Sequence, residues 1–182
     1  PYNSRVTRTS FFHMLRKKGF LEMAFESFMK VTGVIQNIRS GNSCCTQMVS
    51  ITTEDGPVNL VVSGDTMVVD NVRLRRGMRI AAFYDGNLPA PAIYPPQYQA
   101  ELIASLRRNQ DVTLKFFDSS MTAADNSLQL NLSPLTPIET MNGQRFLCRP
   151  ENQELLVFYT TTTFSIPPQT TPQRIIVMCP MQ

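Results

Sequence analysis

The sequence lacks tryptophan and has a single histidine, His13, among its 182 residues. With one histidine, a serine or cysteine nucleophile has almost no candidate base, so Ser–His or Cys–His catalysis is not expected. No glycine-rich loop that could cradle a phosphate occurs. No apolar run approaches the roughly 18 residues of a transmembrane helix. These absences predict a protein without catalytic residues, without a cofactor and without a transmembrane segment.

The cysteine pattern argues against a metal site. A structural zinc site needs two short pairs of cysteine or histidine ligands. The chain has one adjacent pair and two isolated residues: Cys44, Cys45, Cys148 and Cys179. We therefore predict no bound metal, and reduced thiols in or near strands. No stretch resembles a secretory signal, and together these features predict a cytoplasmic protein.

Positive charge is confined to one end of the chain. The formal net charge is +3, and residues 1–30 alone carry six basic and two acidic side chains. The remainder is slightly acidic, so the basic pI near 8.8 belongs to the N-terminal segment. A nucleic-acid binder is expected to spread basic residues over a binding face. Nucleic acid is therefore a possible partner but not the favoured one.

Residues 1–28 differ from the rest. Thr9 or Ser10 could cap a helix over Phe11–Phe28, with apolar positions four residues apart on one face. Three interpretations stay open: a helix docked on the body, a loosely ordered extension, or a helix for a membrane surface or partner. On each of them the body begins at Met29, and the extension is predicted to be dispensable.

The body reads as a turn-rich, mainly β protein, because 13 prolines and 8 glycines punctuate short apolar runs. Asp55-Gly56 and Asn142-Gly143 predict tight turns that need positive φ. The predicted strands cover 31–38, 46–53, 57–63, 78–85, 97–106, 112–118, 127–132, 144–148, 155–162 and 174–179.

The strands form two similar sets. Phe83-Tyr84 recurs as Phe158-Tyr159, and Pro95-Pro96-Gln97 recurs as Pro167-Pro168-Gln169, at offsets of 75 and 72 residues. A third, weaker match pairs the turn at Gly56 with that at Gly143, at an offset of 87. The order of matches predicts an internal duplication, with copies at 29–107 and 110–180. Five strands per copy suit a small closed barrel, which has no exposed sheet edges.

The segment Val72–Tyr84 resembles the turn-into-strand segment of OB-fold barrels, where an apolar residue and a glycine precede an apolar strand. Residues 29–180 also resemble uncharacterised bacterial proteins with the same Asp-Gly hairpin, Phe-Tyr-Asp strand end and Pro-Pro-Gln loop. These resemblances imply two OB-like barrels in tandem, and they imply no activity, because fold does not fix function.

Two groups of residues are candidates for ligand binding. In an extended segment Arg73 and Arg75 share a face, which Arg79 could join, and the alternative is a solvated, partly paired surface. The proline-rich loop after the fourth strand offers Tyr94 and Tyr98, and Phe164 and Ile166 stand at the comparable place in the second copy. The alternative for these rings is that they cap the barrels or join the two copies.

The strands that end in Phe83 and Phe158 are apolar on both faces. A barrel strand open to water should alternate apolar with polar residues, so we predict that these strands meet in a contact between the copies or between subunits. The favoured function is a non-enzymatic binding protein whose loops engage a protein or a second subunit. The alternative is an OB-type binder of single-stranded nucleic acid or an oligosaccharide.

Overall fold

The computed structural model describes residues 23–180 and shows a mainly β protein without α-helices in that range. The strands are β1 Phe28–Ser40, β2 Thr46–Thr53, β3 Gly56–Ser63, β4 Met67–Val68, β5 Arg79–Asp85, β6 Gln97–Gln99, β7 Leu102–Ser105, β8 Asp111–Phe117, β9 Gln129–Leu130, β10 Ile138–Thr140, β11 Gln153–Tyr159, β12 Gln169–Thr170 and β13 Arg174–Val177. A short 3-10 turn spans Val69–Asn71. The predicted helix lies mostly outside the described residues, and at its end Phe28 is already in β1.

The N-terminal half, residues 23–107, is built on one seven-stranded sheet in the order β4-β7-β5-β1-β2-β3-β6. Its last strand, β6, is parallel to β3, whereas β7 is antiparallel to β5. Only Ala100 and Glu101 separate β6, the strand at one end of the sheet, from β7, the strand next to the other end. The strand pairing nevertheless leaves β4 and β6 as end strands, so the predicted closed barrel is not formed.

The C-terminal half, residues 110–180, repeats this pairing with fewer strands. Its four-stranded sheet has the order β10-β13-β11-β8, and β12 pairs with β9 in a separate sheet. These sheets are not closed either. Each pair has a counterpart in the first half, including the parallel pairs β10 with β13 and β12 with β9. Equivalent backbone bonds recur as well: Asn59 N–H donates to Pro96 O, and Gln129 N–H to Pro168 O, both at 2.8 Å.

The weakest of the sequence matches is wrong. Gly56 lies in the turn between β2 and β3, whereas Gly143 follows β10, whose counterpart is β4. Both glycines do form the predicted turns, with φ of 120° and 80°. In the second half a compact segment over residues 118–128 takes the place of the long β2–β3 hairpin.

The buried side chains form three clusters. One fills the N-terminal half: Ile35, Val49, Ile51, Val58, Leu60, Ile80, Ala82, Ala100 and Ile103. One fills the C-terminal half: Phe117, Met121, Ala123, Leu128, Leu130, Leu155, Val157, Ile175 and Val177. The third, the shared cluster, draws on both halves: Val69, Ala81, Phe83, Leu102, Ala104, Leu106, Val112, Leu114, Leu156, Phe158, Ile176 and Met178.

The shared cluster confirms the prediction from the two-faced strands. In β5, Ile80 faces the core of its own half while Phe83 faces the shared cluster, and in β11 Leu155 and Phe158 divide in the same way. The two halves therefore meet through a continuous apolar layer within one chain.

Polar contacts fasten the connection between the halves. The buried Gln110 donates through its side-chain amide to Gln173 Oε1 at 2.7 Å, and its backbone carbonyl accepts a hydrogen bond from Arg79 at 2.6 Å. Lys30 Nζ forms an ion pair of 2.8 Å with Asp111 across the same junction. The segment 107–110 is thus held at several points.

The chain N-terminal to β1 also belongs to the folded body. Phe25 and Phe28 pack on the shared cluster, with ring centroids 5.0 Å apart in an edge-on arrangement. The Glu154 carboxylate accepts the backbone N–H groups of Ala24 and Phe25 at 3.1 and 2.9 Å. The boundary predicted at Met29 therefore cuts through docked structure. Within residues 23–180 no helix is both long and apolar enough to cross a membrane.

Candidate functional site

The first candidate site lies where β5 ends and the proline-rich loop 86–96 begins. The rings of Tyr84 in β5 and Tyr98 in β6 stack face to face, with centroids 4.0 Å apart and planes 9° from parallel. The Asp85 carboxylate accepts the Ser27 hydroxyl at 2.7 Å and the Asn87 N–H at 2.9 Å. These bonds fix the start of the loop, so the loop and the tyrosines form one surface.

A groove runs between the stacked tyrosines and the loop. It encloses about 160 Å³ and is lined by both rings, by Leu88 and the following prolines of the loop, and by Gln97 and Gln99. A more open hollow of about 480 Å³ lies beside it and shares Tyr84, Leu88 and Tyr98 as a common wall. Two adjacent depressions with an aromatic wall suit an extended ligand with two side chains to place.

The electrostatic character of the groove is neutral to acidic. Asp85 lines the first depression and Glu26 the second, and none of the described lining residues is lysine or arginine. Burial raises the pKa of Tyr84, and the neighbouring Tyr98 adds to this, so its hydroxyl stays protonated at neutral pH. Nearby, burial followed by the charges of Asp85 and Asp65 raises the pKa of Glu101.

The three predicted arginines do not form one site. Arg73 and Arg75 are exposed on the segment that leads into β5. Asp70, three residues before Arg73 in the sequence, pairs with Arg174 and not with these arginines. Arg79 is half-buried and donates to the carbonyl of Gln110, so it joins the halves of the molecule and is not available to a ligand. Only Arg73 and Arg75 therefore remain as an exposed basic pair.

The three predicted aromatic residues lie in different surroundings. Tyr98 is half-buried in the groove wall, whereas Tyr94 is 80% exposed near the end of its loop. Phe164 is fully exposed on the equivalent loop of the C-terminal half. Both loops contain a cis peptide, at Tyr94–Pro95 and Ile166–Pro167.

Sequence reasoning missed two residues of these surfaces. Tyr84 was considered only as the end of its strand, and Leu88 only as part of the proline-rich loop. Ile166 was found beside Phe164, because it stands next to Pro167-Pro168 as Tyr94 does next to Pro95-Pro96. No comparable signal pairs Tyr84 with Tyr98, since the two lie in strands that meet only through the three-dimensional path of the chain.

The described part of the chain shows no metal site, and its cysteines are free. Among residues 23–180 no three cysteine, histidine, aspartate or glutamate side chains come together as a metal site. His13 lies outside that range. Cys44, Cys45, Cys148 and Cys179 are free and exposed, and the first two form the centre of the β1–β2 turn, closed by a Thr46 N–H to Ser43 O bond of 3.2 Å.

Comparison with protein-family models, with curated proteins and with solved structures finds no match to this chain. The resemblance to uncharacterised bacterial proteins therefore stays a prediction. The groove at Tyr84 and Tyr98 is a concave surface with apolar and aromatic walls, the kind of surface at which ligands are commonly held.

Proposed function

We propose that the protein is a non-enzymatic binding protein that holds an extended segment of a partner protein in the groove at loop 86–96. The observation that carries the proposal is the stacked pair Tyr84 and Tyr98 in a groove walled by proline and leucine. Aromatic-lined grooves beside rigid loops are a recurring way to hold extended peptides. The absence of a catalytic pair in the sequence supports a role without chemistry.

The finer architecture that we propose is OB-like in each half. OB folds are five-stranded and partly open barrels, and they bind ligands with the loop before their last strand. The parallel pairing of β3 with β6 and the path from β6 into β7 support an open arrangement of this kind. Loop 86–96 then occupies the ligand-facing position. We further propose a cytoplasmic location, because adjacent exposed thiols such as Cys44 and Cys45 persist in reducing compartments.

Nucleic acid is the less favoured ligand. Single-stranded nucleic acid is held by basic grooves with exposed rings, and the described lining of this groove contains Asp85 and Glu26 in place of basic residues. An oligosaccharide is the second candidate, since Asn87, Gln97 and Gln99 provide side-chain amides around the tyrosines. A peptide remains favoured because the prolines and Leu88 make the wall apolar.

The test is retention of partners from the native cell by the full-length protein and by groove variants. Leu88→Asp and Ala90→Asp change exposed side chains that line the groove, so both variants should fold. We expect each to lower retention of the partner by on the order of tenfold, equivalent to about 1.4 kcal/mol of binding free energy. Phe164→Ser, on the other half, is the matched control and should retain the partner fully.

Three outcomes would contradict the proposal. Equal retention by the wild type and both groove variants would show that the groove is not the binding site. Retention that falls steeply with salt and is lost after nuclease treatment would favour nucleic acid instead. Binding of the purified protein to a glycan array, with loss in the Leu88→Asp variant, would favour the oligosaccharide.

A further inference from the structure

The loop between β11 and β12 in the C-terminal half is the most apolar exposed feature of the described chain. Phe164 is fully exposed and Ile166 is 94% exposed, and only Ser165 separates the two in the sequence. No charged residue occurs from Thr160 to Gln173. Protein surfaces seldom expose large apolar side chains together unless a partner covers them. We therefore expect an apolar partner to contact the tip of this loop.

Several polar groups on both sides of the tip are hydrogen-bonded within the loop. Thr163 N–H donates to Gln169 O at 2.9 Å, and Gln169 N–H donates back to the Thr163 hydroxyl oxygen at 3.0 Å. The Ser165 hydroxyl donates to Pro167 O at 2.9 Å. Pro167 and Pro168 have no N–H group to satisfy. These bonds lower the cost of desolvating the sides of the loop, and a shallow contact leaves the backbone of the tip at the level of the lipid headgroups, where it can still be hydrogen-bonded.

A third exposed apolar side chain belongs to a segment that is bonded to the base of this loop. The segment 131–136 is fastened there, because Asn131 Nδ2 donates to Gln169 Oε1 at 3.1 Å and the Thr136 hydroxyl donates to Pro172 O at 2.9 Å. This segment presents Leu135, which is 91% exposed. The apolar surface is therefore a small group of protruding side chains rather than a groove.

The size of this group decides between two kinds of partner. A buried aromatic side chain covers about 150–250 Å², so Phe164 and Ile166 together cover at most about 500 Å² of this surface, below the roughly 800 Å² that each partner contributes to a standard protein interface. Binding to a bilayer needs a smaller apolar surface, because apolar side chains need only reach about 5–10 Å into the boundary between headgroups and acyl chains. The absence of charge also suits a bilayer, where charged groups are costly.

We propose that loop 160–168 inserts Phe164 and Ile166 into the surface of a lipid bilayer, with Leu135 at its margin. This contact goes beyond the proposed partner groove, which lies on the other half. Binding would be peripheral and reversible, and it would leave loop 86–96 free for its partner. The loop of the N-terminal half is less suited to the same role, because its large apolar side chains Leu88 and Ile93 are only 54% and 53% exposed and the charged Asp85 stands at its base.

The chain has no tryptophan, so Phe164→Trp introduces a single indole at the tip of the loop. We expect its emission to move to shorter wavelength with phosphatidylcholine vesicles and to be quenched by lipids brominated in their acyl chains. Tyr94→Trp, in the equivalent loop of the other half, is the matched control and should show neither change. The full-length wild type should sediment with the same vesicles.

The double variant Phe164→Ser, Ile166→Ser should lower sedimentation with vesicles by on the order of tenfold or more, because each buried CH₂ contributes to membrane affinity. Ile93→Ser, Tyr94→Ser should sediment as the wild type does. The proposal is overturned if the indole at position 164 keeps its aqueous emission. It is also overturned if sedimentation needs phosphatidylserine and ignores the loop, or if ultracentrifugation without lipid shows a dimer that the double serine variant abolishes.

Discussion

The guanidinium of Arg174 and the carboxylate of Asp70 form two hydrogen bonds of 2.7 and 2.6 Å, and this pair links the two halves of the molecule. Arg174 also donates to Glu139 at 3.1 Å and lies over the ring of Phe158, 5.8 Å from its centroid. Asp70 holds a positive φ of 60° within the 3-10 turn. One planar cation therefore fixes a strained turn of the first half against β10 and β13 of the second.

Arg174→Lys should destabilise the protein, because an ammonium group cannot make two parallel bonds to Asp70 and reach Glu139 as well. Asp70 is half-exposed, so the loss should be about 1–2 kcal/mol and below that of a fully buried pair. At this chain length the thermal midpoint should fall by roughly 2–8 °C. Arg149→Lys is the control, since Arg149 is 89% exposed in its pair with Glu151. Equal midpoints for both variants would refute the assignment.

The same pair should contribute to stability at neutral pH and not in acid. The hydrogen bond from Arg174 lowers the pKa of Asp70 below its ordinary value of 3.8. Its stabilisation is therefore complete above that value and is lost as the pH falls through the lower pKa of the folded state. The difference in unfolding free energy between the wild type and Asp70→Asn should be constant above about pH 5 and shrink below about pH 4. In an Arg174→Lys background the difference at neutral pH should be smaller.

Phe28→Ala should cost about 2–3 kcal/mol, at the lower end for a phenylalanine because its ring is only partly buried in the shared cluster. Met29→Ala, one residue along the same strand, is the matched control, since Met29 is exposed and should change the midpoint of urea unfolding little. An unchanged midpoint for Phe28→Ala would restore the interpretation of residues 1–28 as a separable extension.

The apolar layer between the halves predicts a cooperative molecule. Phe83→Ser with Phe158→Ser places two hydroxyls in the shared cluster, and calorimetry should then show two separable transitions or aggregation. Ile93→Ser with Leu147→Ser changes exposed side chains, and this control should unfold in one transition. If residues 23–107 and 110–180, expressed separately, are each soluble and as stable as the whole, the shared layer is not needed.

The turn at Gly143 isolates a backbone effect. Its φ is 80°, and a Cβ atom there would meet nothing within 4 Å. Gly143→Val should therefore cost roughly 1–2 kcal/mol through backbone conformation alone. Gly64→Val is the control, since Gly64 has equal space but no positive φ. Gly56→Val should behave like Gly143→Val, and urea midpoints would separate the three variants.

The sequence predicted strands well wherever alternation and turn residues agreed, as in β2, β3 and β5. It failed where pairing partners change along the chain. Residues 97–106 were predicted as one strand, but Ala100 N–H bonds to Val61 O and Glu101 N–H to Phe83 O, so the strand divides between two neighbours. Residues 144–148 were also predicted as a strand, and they form only one bridge, between Glu139 and Arg145.

The candidate site was predictable in part, for a similar reason. Local composition indicated the proline-rich loops. The internal repeat placed Phe164 at the position in the second loop that is equivalent to the aromatic residue of the first. The stacking of Tyr84 on Tyr98 could not be predicted, because it depends on how β5 and β6 meet in the folded sheet. The role of Arg79 was hidden as well, since its partner is a backbone carbonyl that leaves no mark in the sequence.

The shared cluster has a consequence for how the protein is made. Ile176 and Met178, near the end of the described chain, complete the layer that covers Ala81 and Phe83. During synthesis the apolar face of the N-terminal half therefore stays exposed until these residues have left the ribosome. A chain that stops before β13 would keep that face exposed, and we expect chaperones and proteases to recognise it and remove the product.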